Sequence, residues 1–189
     1  MKLSEIKIYI KSDLYRFNGN DKQFLKTFFK NSYFRFQVYL RMAKSDVYAL
    51  SFVFRFLKAK LGKKVNIQLN HNVAIGYGLY IPHGNVVINS QASIGNNCSF
   101  LQFVSVGAIH YGKSADIGDN VYIGPSSCLV GAIKVGSNSV LGAGTVAAKD
   151  VENNCVVVGA PAKVIKKVED IAMYSDNLCD DKWARMLGK

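Results

Sequence analysis

Asp116-Ile117-Gly118-Asp119-Asn120-Val121-Tyr122-Ile123-Gly124 contains the step that decides the fold: an aliphatic residue followed by glycine, returning after six positions. Between Val65 and Ala162 the step recurs at Ile75-Gly76, Ile88-Asn89, Ile94-Gly95, Val106-Gly107, Ile123-Gly124, Leu129-Val130, Val135-Gly136 and Leu141-Gly142. A period of six fits neither a 3.6-residue helix nor the strict alternation of a hairpin strand. It is the period of a β-solenoid, in which each unit contributes one short strand and its aliphatic side chain points inward. Four residues after most steps, and two before Val106, comes a second inward candidate: Leu79, Ala92, Cys98, Val104, Val121, Ser127, Ile133, Ser139 and Thr145 are all small or aliphatic. The interior of a thin prism has room for little else.

The formal net charge of +11 is unevenly placed. Residues 1–64 hold fifteen Lys and Arg against four Asp and Glu, whereas residues 65–189 hold nine of each, so the whole excess precedes the repeat. Three units follow: a basic, aromatic-rich helical region at 1–64, a β-helix at 65–165, and a C-terminal helix or tail at 166–189. In the first, Leu3, Ile6, Ile10, Leu14 and Phe17 form one stripe of a helix ending before Asn18-Gly19-Asn20. A second helix is expected from Phe24 to Met42 with a break near Asn31-Ser32, and a third from Ser45 or Asp46 to Leu61, before Gly62. Their Phe and Tyr side chains suit a helical cap packed on the solenoid. Lys26, Lys30, Arg35, Arg41, Arg55, Lys58, Lys60, Lys63 and Lys64, interleaved with those aromatics, could instead meet an anionic membrane. No base-reading motif is present, so nucleic acid is not expected as a partner. Trp183 is expected to dock on a neighbouring element.

Met1-Lys2-Leu3-Ser4-Glu5 opens no apolar signal segment, and no run of residues is long and apolar enough to span a bilayer. Cysteines 98, 128, 155 and 179 form no CxxC pair. The expectation is a cytoplasmic protein, peripheral to a membrane at most, with reduced cysteines serving as small apolar residues.

Two interruptions break the rhythm, and each carries a histidine. Ile81-Pro82-His83-Gly84-Asn85-Val86-Val87-Ile88 has one residue too many, and the step from Val106 to Ile117 is eleven, so Ala108 to Asp116 must leave the prism as a loop containing His110. Outward insertions cost a solenoid little and can gather on one side to make a site.

The repeat, the Ile81-Pro82-His83 interruption, Asp119 to Gly124, Gly142-Ala143-Gly144-Thr145, Lys149-Asp150, the closing Val157-Val158-Gly159-Ala160-Pro161-Ala162-Lys163 and the N-terminal Ser12-Asp13-Leu14-Tyr15-Arg16 together resemble the hexapeptide-repeat acyltransferases. The likeness is to the serine acetyltransferase branch and to its relatives that O-acetylate bacterial polysaccharide. It implies a left-handed parallel β-helix, a homotrimer with sites between subunits, and acetyl-CoA as co-substrate with no metal. The catalytic histidine of that family corresponds to His83, a base suited to taking the proton of an attacking alcohol. The carboxylate that orients the imidazole corresponds to Gln68, and the acidic residue near the acceptor to Asp13. Donor contacts correspond to Ala108, Pro125, Ala143, Ala148, Lys149 and Lys166.

Departures from that pattern bear on the acceptor. Serine acetyltransferases carry an acidic residue just before the catalytic histidine, where this chain has Pro82. They have a second histidine where this chain has Ser114; His110, four residues earlier, is the candidate replacement. The reading favoured by Pro82 is transfer to a saccharide hydroxyl of capsule or exopolysaccharide type, with serine as the alternative acceptor. A zinc-dependent hydratase of the γ-carbonic anhydrase kind needs three converging histidines, and the spacing of His71, His83 and His110 lacks the close pair expected of it.

Overall fold

A computed structural model describes residues 1–110 and 112–188; Tyr111, in the loop that carries His110, and the terminal Lys189 lie outside that range. Four helices come first: α1 (Leu3–Asn18), α2 (Phe24–Lys30), α3 (Ser32–Met42) and α4 (Tyr48–Val65). Asn31 ends α2 and caps α3, its side chain accepting from the Tyr33 and Phe34 amides, which is why the long aromatic segment breaks there. Contrary to the expected stop at Leu61, α4 continues through Gly62. That glycine is buried, and a Cβ there would lie 2.8 Å from the Ile67 carbonyl oxygen and 3.2 Å from the Phe36 ring, so close packing retains it despite its poor helix propensity.

The solenoid has three faces. The first consists of β1 (Ile67–Leu69), β3 (Val86–Ile88), β6 (Ser105–Gly107), β9 (Cys128–Val130) and β12 (Val146–Ala147). The second consists of β2 (Ala74–Ile75), β4 (Ser93–Ile94), β7 (Asp116–Ile117) and β10 (Lys134–Val135). The third consists of β5 (Ser99–Phe100), β8 (Tyr122–Ile123), β11 (Val140–Leu141) and β13 (Cys155–Val158), with β14 (Lys163–Lys167) pairing antiparallel on β13. All other pairings are parallel and in register, as Ile94 opposite Ile117 illustrates. Every aliphatic residue of the six-residue step lies in one continuous core, together with Leu79, Ala92, Cys98, Val104, Val121 and Ile133. Ser127, Ser139 and Thr145 are also fully buried, and each donates its hydroxyl to a backbone carbonyl of its own or the adjoining coil.

The glycines after the aliphatic residues serve close approach between coils. A Cβ on Gly95 would lie 2.5 Å from the Gly118 carbonyl oxygen of the coil stacked on it. The left-handed corners fall elsewhere. Along the edge between the second and third faces they are taken by Asn97, Asn120, Asn138 and Asn154, with φ of 56, 55, 56 and 57°. Their amides form a ladder, Asn97 donating to Asn120, Asn120 to Asn138, and Asn138 to Asn154 at 2.9, 2.8 and 3.1 Å.

The helices cap the start of the solenoid by hydrogen-bonding the backbone of its first coil. Arg41 donates to the carbonyls of Ile75 and Gly76, Arg16 to that of Gly78, and Gln37 to that of Leu79 while accepting from the Ile81 amide. Ser12 accepts from the Gly78 amide and Asp13 from the Leu79 amide. Asp13 and Arg41 form a two-point ion pair, both bonds 2.9 Å long, and each side chain is only 1% exposed. At the other end of the chain Trp183, on α5 (Asp181–Met186), is buried against α1 with Tyr9, Tyr77 and Cys179, as expected of it.

Among the described residues no helix is long and apolar enough to cross a membrane. Asp13→Ala would leave the Arg41 guanidinium buried without its counter-charge, which typically costs about 3–5 kcal/mol. Urea denaturation should therefore show a loss of that size; a loss under about 1 kcal/mol would mean that the pair does not hold the cap.

Candidate functional site

His83 stands on the edge between the third and first faces, in the turn with the extra residue. Three residues, Pro82-His83-Gly84, separate Ile81 from the left-handed Asn85, whereas the next coil reaches its left-handed Phe103 from Phe100 with only Leu101-Gln102 between. Gly84 is pressed against the end of α4: a Cβ there would lie 2.0 Å from the Val65 carbonyl oxygen and 3.4 Å from the Tyr33 ring. That contact anchors the turn. The His83 side chain is exposed, stands edge-on to Tyr33 with ring centroids 6.3 Å apart, and forms no hydrogen bond with the described residues, which leaves its imidazole free for a ligand.

Next to this turn runs an open groove of about 910 Å³ between the C-terminal half of α4 and the first face. Its polar lining is amide-rich, with Asn66, Gln68, Asn70, Asn85 and Asn89, and Lys58 and Lys63 flank it without any carboxylate. Gln68 points outward from β1, opposite Val87, and makes no side-chain hydrogen bond with the described residues. Lys58 is already engaged, donating to the Leu69 carbonyl at 2.7 Å, and its burial lowers its pKa. This removes it from the cations that the sequence offers to a membrane.

The other candidates divide between edges. Pro125 and Ala143 lie on the His83 edge, two and three coils further along, and Ala143 is exposed beside Gly144, whose φ is 70°. Ala108, His110, Ala148 and Lys149 lie on the opposite edge of the first face, where it turns into the second. Ile109 folds this loop back over Gly131, its Cδ1 3.0 Å from where a Cβ would stand. Lys166 projects from β14 beyond the third face, its ammonium 5.8 Å from the centre of the Tyr174 ring. A single chain therefore aligns His83, Pro125 and Ala143 along one edge, with Gln68 on the adjoining first face, and holds the second group across the width of that face.

Asp13 requires correction: its oxygens are committed to Arg41 and the Leu79 amide deep under the cap, so it is structural and does not face an acceptor. Ser114 is likewise buried, donating to the Gly107 carbonyl. Sequence reasoning missed the groove itself, although the alternation of amides at Asn66, Gln68 and Asn70, on and flanking β1, could have indicated it.

Cys98 and Cys179 are poor nucleophiles. Burial pushes the thiols of Cys98 and Cys179 up to about 12, far from the thiolate state. His71 is half-buried at the turn after β1, and burial, with Arg55 and Lys58 nearby, lowers its pKa. Among the described residues no group of three or more His, Cys, Asp or Glu is placed to hold a metal ion.

Comparison with known proteins agrees with this architecture. The family described as "Bacterial transferase hexapeptide (six repeats)" matches residues 114–149. A serine acetyltransferase of Synechococcus elongatus is 34% identical over 105 residues, covering 52% of this chain and 42% of its own length. That of Staphylococcus epidermidis is 37% identical over 105 residues, covering 53% and 49%. The chain thus spans less than half the length of these curated relatives. Among solved structures, serine acetyltransferase of Neisseria gonorrhoeae superposes with a TM-score of 0.77 at 24% identity, covering 90% of this chain and 70% of that one. The same protein in complex with serine gives 0.72 at 26% identity, covering 87% and 70%. The shared fold is the left-handed parallel β-helix; residues 114–149 match the hexapeptide repeat of bacterial transferases, and serine acetyltransferases are among the proteins that the chain resembles in sequence and in fold.

Proposed function

We propose that this protein transfers an acetyl group from acetyl-CoA to a hydroxyl group, with His83 as general base. The observation that carries the reading is the exposed imidazole of His83, edge-on to Tyr33 and free of hydrogen bonds with the described residues, held by a tight glycine turn beside an amide-lined groove. In the reaction the acceptor hydroxyl gives its proton to an imidazole nitrogen as its oxygen attacks the thioester carbonyl carbon. The tetrahedral intermediate collapses by breaking the carbon–sulfur bond, and the imidazolium returns the proton to the departing CoA sulfur. No covalent acyl-enzyme is needed.

Small residues at Pro125 and Ala143 let a pantetheine arm lie along the coils, and Lys149 and Lys166 supply cations for the CoA phosphates. We take the working unit to be the trimer that the family resemblance implies, because Ala108, His110, Ala148 and Lys149 lie across the first face from His83 and need a neighbouring chain to reach it. In it the His83 edge of one chain meets the loop edge of a neighbour.

For the acceptor, the relatives reverse the order that Pro82 suggested. They are serine acetyltransferases, and the Neisseria gonorrhoeae structure in complex with serine covers most of this chain. Serine is therefore our first reading. A saccharide hydroxyl is the second, favoured by the groove, whose size and five amides exceed what one amino acid requires.

Release of free thiol from acetyl-CoA, followed with serine and with oligosaccharide acceptors, tests both readings. His83→Ala should lower kcat at least about a hundredfold while CoA affinity survives. Undiminished turnover would remove His83 from the mechanism. Ala143→Trp, at an exposed position, should leave the fold intact and abolish CoA binding, measured by calorimetry. Gln68→Glu places a carboxylate where an amide now stands. A residue that orients the base should change kcat/KM several-fold when its charge changes; an unchanged kcat/KM would show that residue 68 does not touch the base.

A further inference from the structure

We propose that the outer face of α4, reinforced by α2, docks this protein on an anionic membrane surface. Tyr48, Phe52 and Phe56 recur every four residues and form one exposed stripe, being 82, 65 and 66% exposed. On the helical cylinder Arg55 flanks the stripe on one side, and Lys60 and Lys64 on the other; all three are exposed. No acidic residue occurs in α4, and Asp46 is the only one between residues 22 and 65. The shorter α2 repeats the pattern, with Leu25 and Phe29 at 68 and 70% exposure beside the exposed Lys26 and Lys30. Both helices pack on α3, through Phe28 against Tyr39 and Tyr39 against Phe54.

Exposed aromatics bordered by lysine and arginine suit the boundary between headgroups and acyl chains, where the rings bury and the cations meet lipid phosphates. Charge complementarity selects this occupant over a second copy of the chain. Two such faces brought together would set cations against cations, with no carboxylate on either side to compensate. Neither the catalytic proposal nor the groove enters this argument.

The full-length protein, sedimented with phosphatidylcholine vesicles with or without phosphatidylglycerol, gives the test. Binding should require the anionic lipid and vanish as salt rises from about 0.01 to 1 M, over which the Debye length shrinks from about 30 to about 3 Å. Phe52→Ser/Phe56→Ser and Lys60→Gln/Lys64→Gln should each reduce binding by about tenfold or more. Both should keep wild-type circular dichroism and melting, since all four residues are exposed. Equal binding to both vesicle types, no binding to either, or anionic binding unchanged in Phe52→Ser/Phe56→Ser would overturn the proposal. So would an assembly, seen by light scattering, that Phe52→Ser/Phe56→Ser dissociates while vesicles bind neither form, because the face would then belong to a second copy.

Discussion

A solenoid has two ends, and at each an uncovered row of peptide groups must find partners. Here the first coil is covered by side chains of α1 and α3, and that requirement organises the N-terminal third of the molecule. Asp13, Arg41 and Gln37 place charged and amide groups in a nearly dry interface because the backbone from Ile75 to Ile81 demands donors and acceptors at fixed positions. The last coil is covered differently, by β14 running antiparallel along β13. Side chains cap one end and main chain the other.

The core was legible because the prism is narrow. Nearly every inward position carries a small or aliphatic side chain, with Phe100 opposite Ile123 an aromatic exception, so the six-residue period survives in the sequence with little noise. The role of the glycines was only half legible: their occurrence marks the coil, but the Gly95 and Gly118 geometry assigns them to contact between coils and leaves most left-handed corners between the second and third faces to asparagine. The cap was less readable still. Gly62 looks like a helix stop until Phe36 and Ile67 are seen against it, and Lys58 looks like a free cation until its bond to the Leu69 carbonyl appears. Asp13 illustrates the general difficulty, since a carboxylate in a helix reads the same whether it meets a substrate or a buried guanidinium.

Part of the site was visible as a break in rhythm. The extra residue at Pro82-His83-Gly84 located the exposed imidazole, while the groove beside it escaped notice because it arises from α4 lying over the first face, a packing relation with no local signature. The division of the remaining candidates between two edges has the same origin. Stacked coils align positions 16 to 23 residues apart, so Ala143 joins His83 along an edge, whereas the loop after Gly107 is near in sequence and leaves at another corner.

The placement of the cap before the coils bears on how the chain acquires its shape during synthesis. α1, α3 and α4 leave the ribosome ahead of β1, so a surface carrying Asp13, Gln37 and Arg41 can await the first coil. Each later coil then finds a finished edge on which to add, in the manner of a nearest-neighbour array. A solenoid capped only at its C-terminus would have to wait for the whole chain before its first coil had a partner.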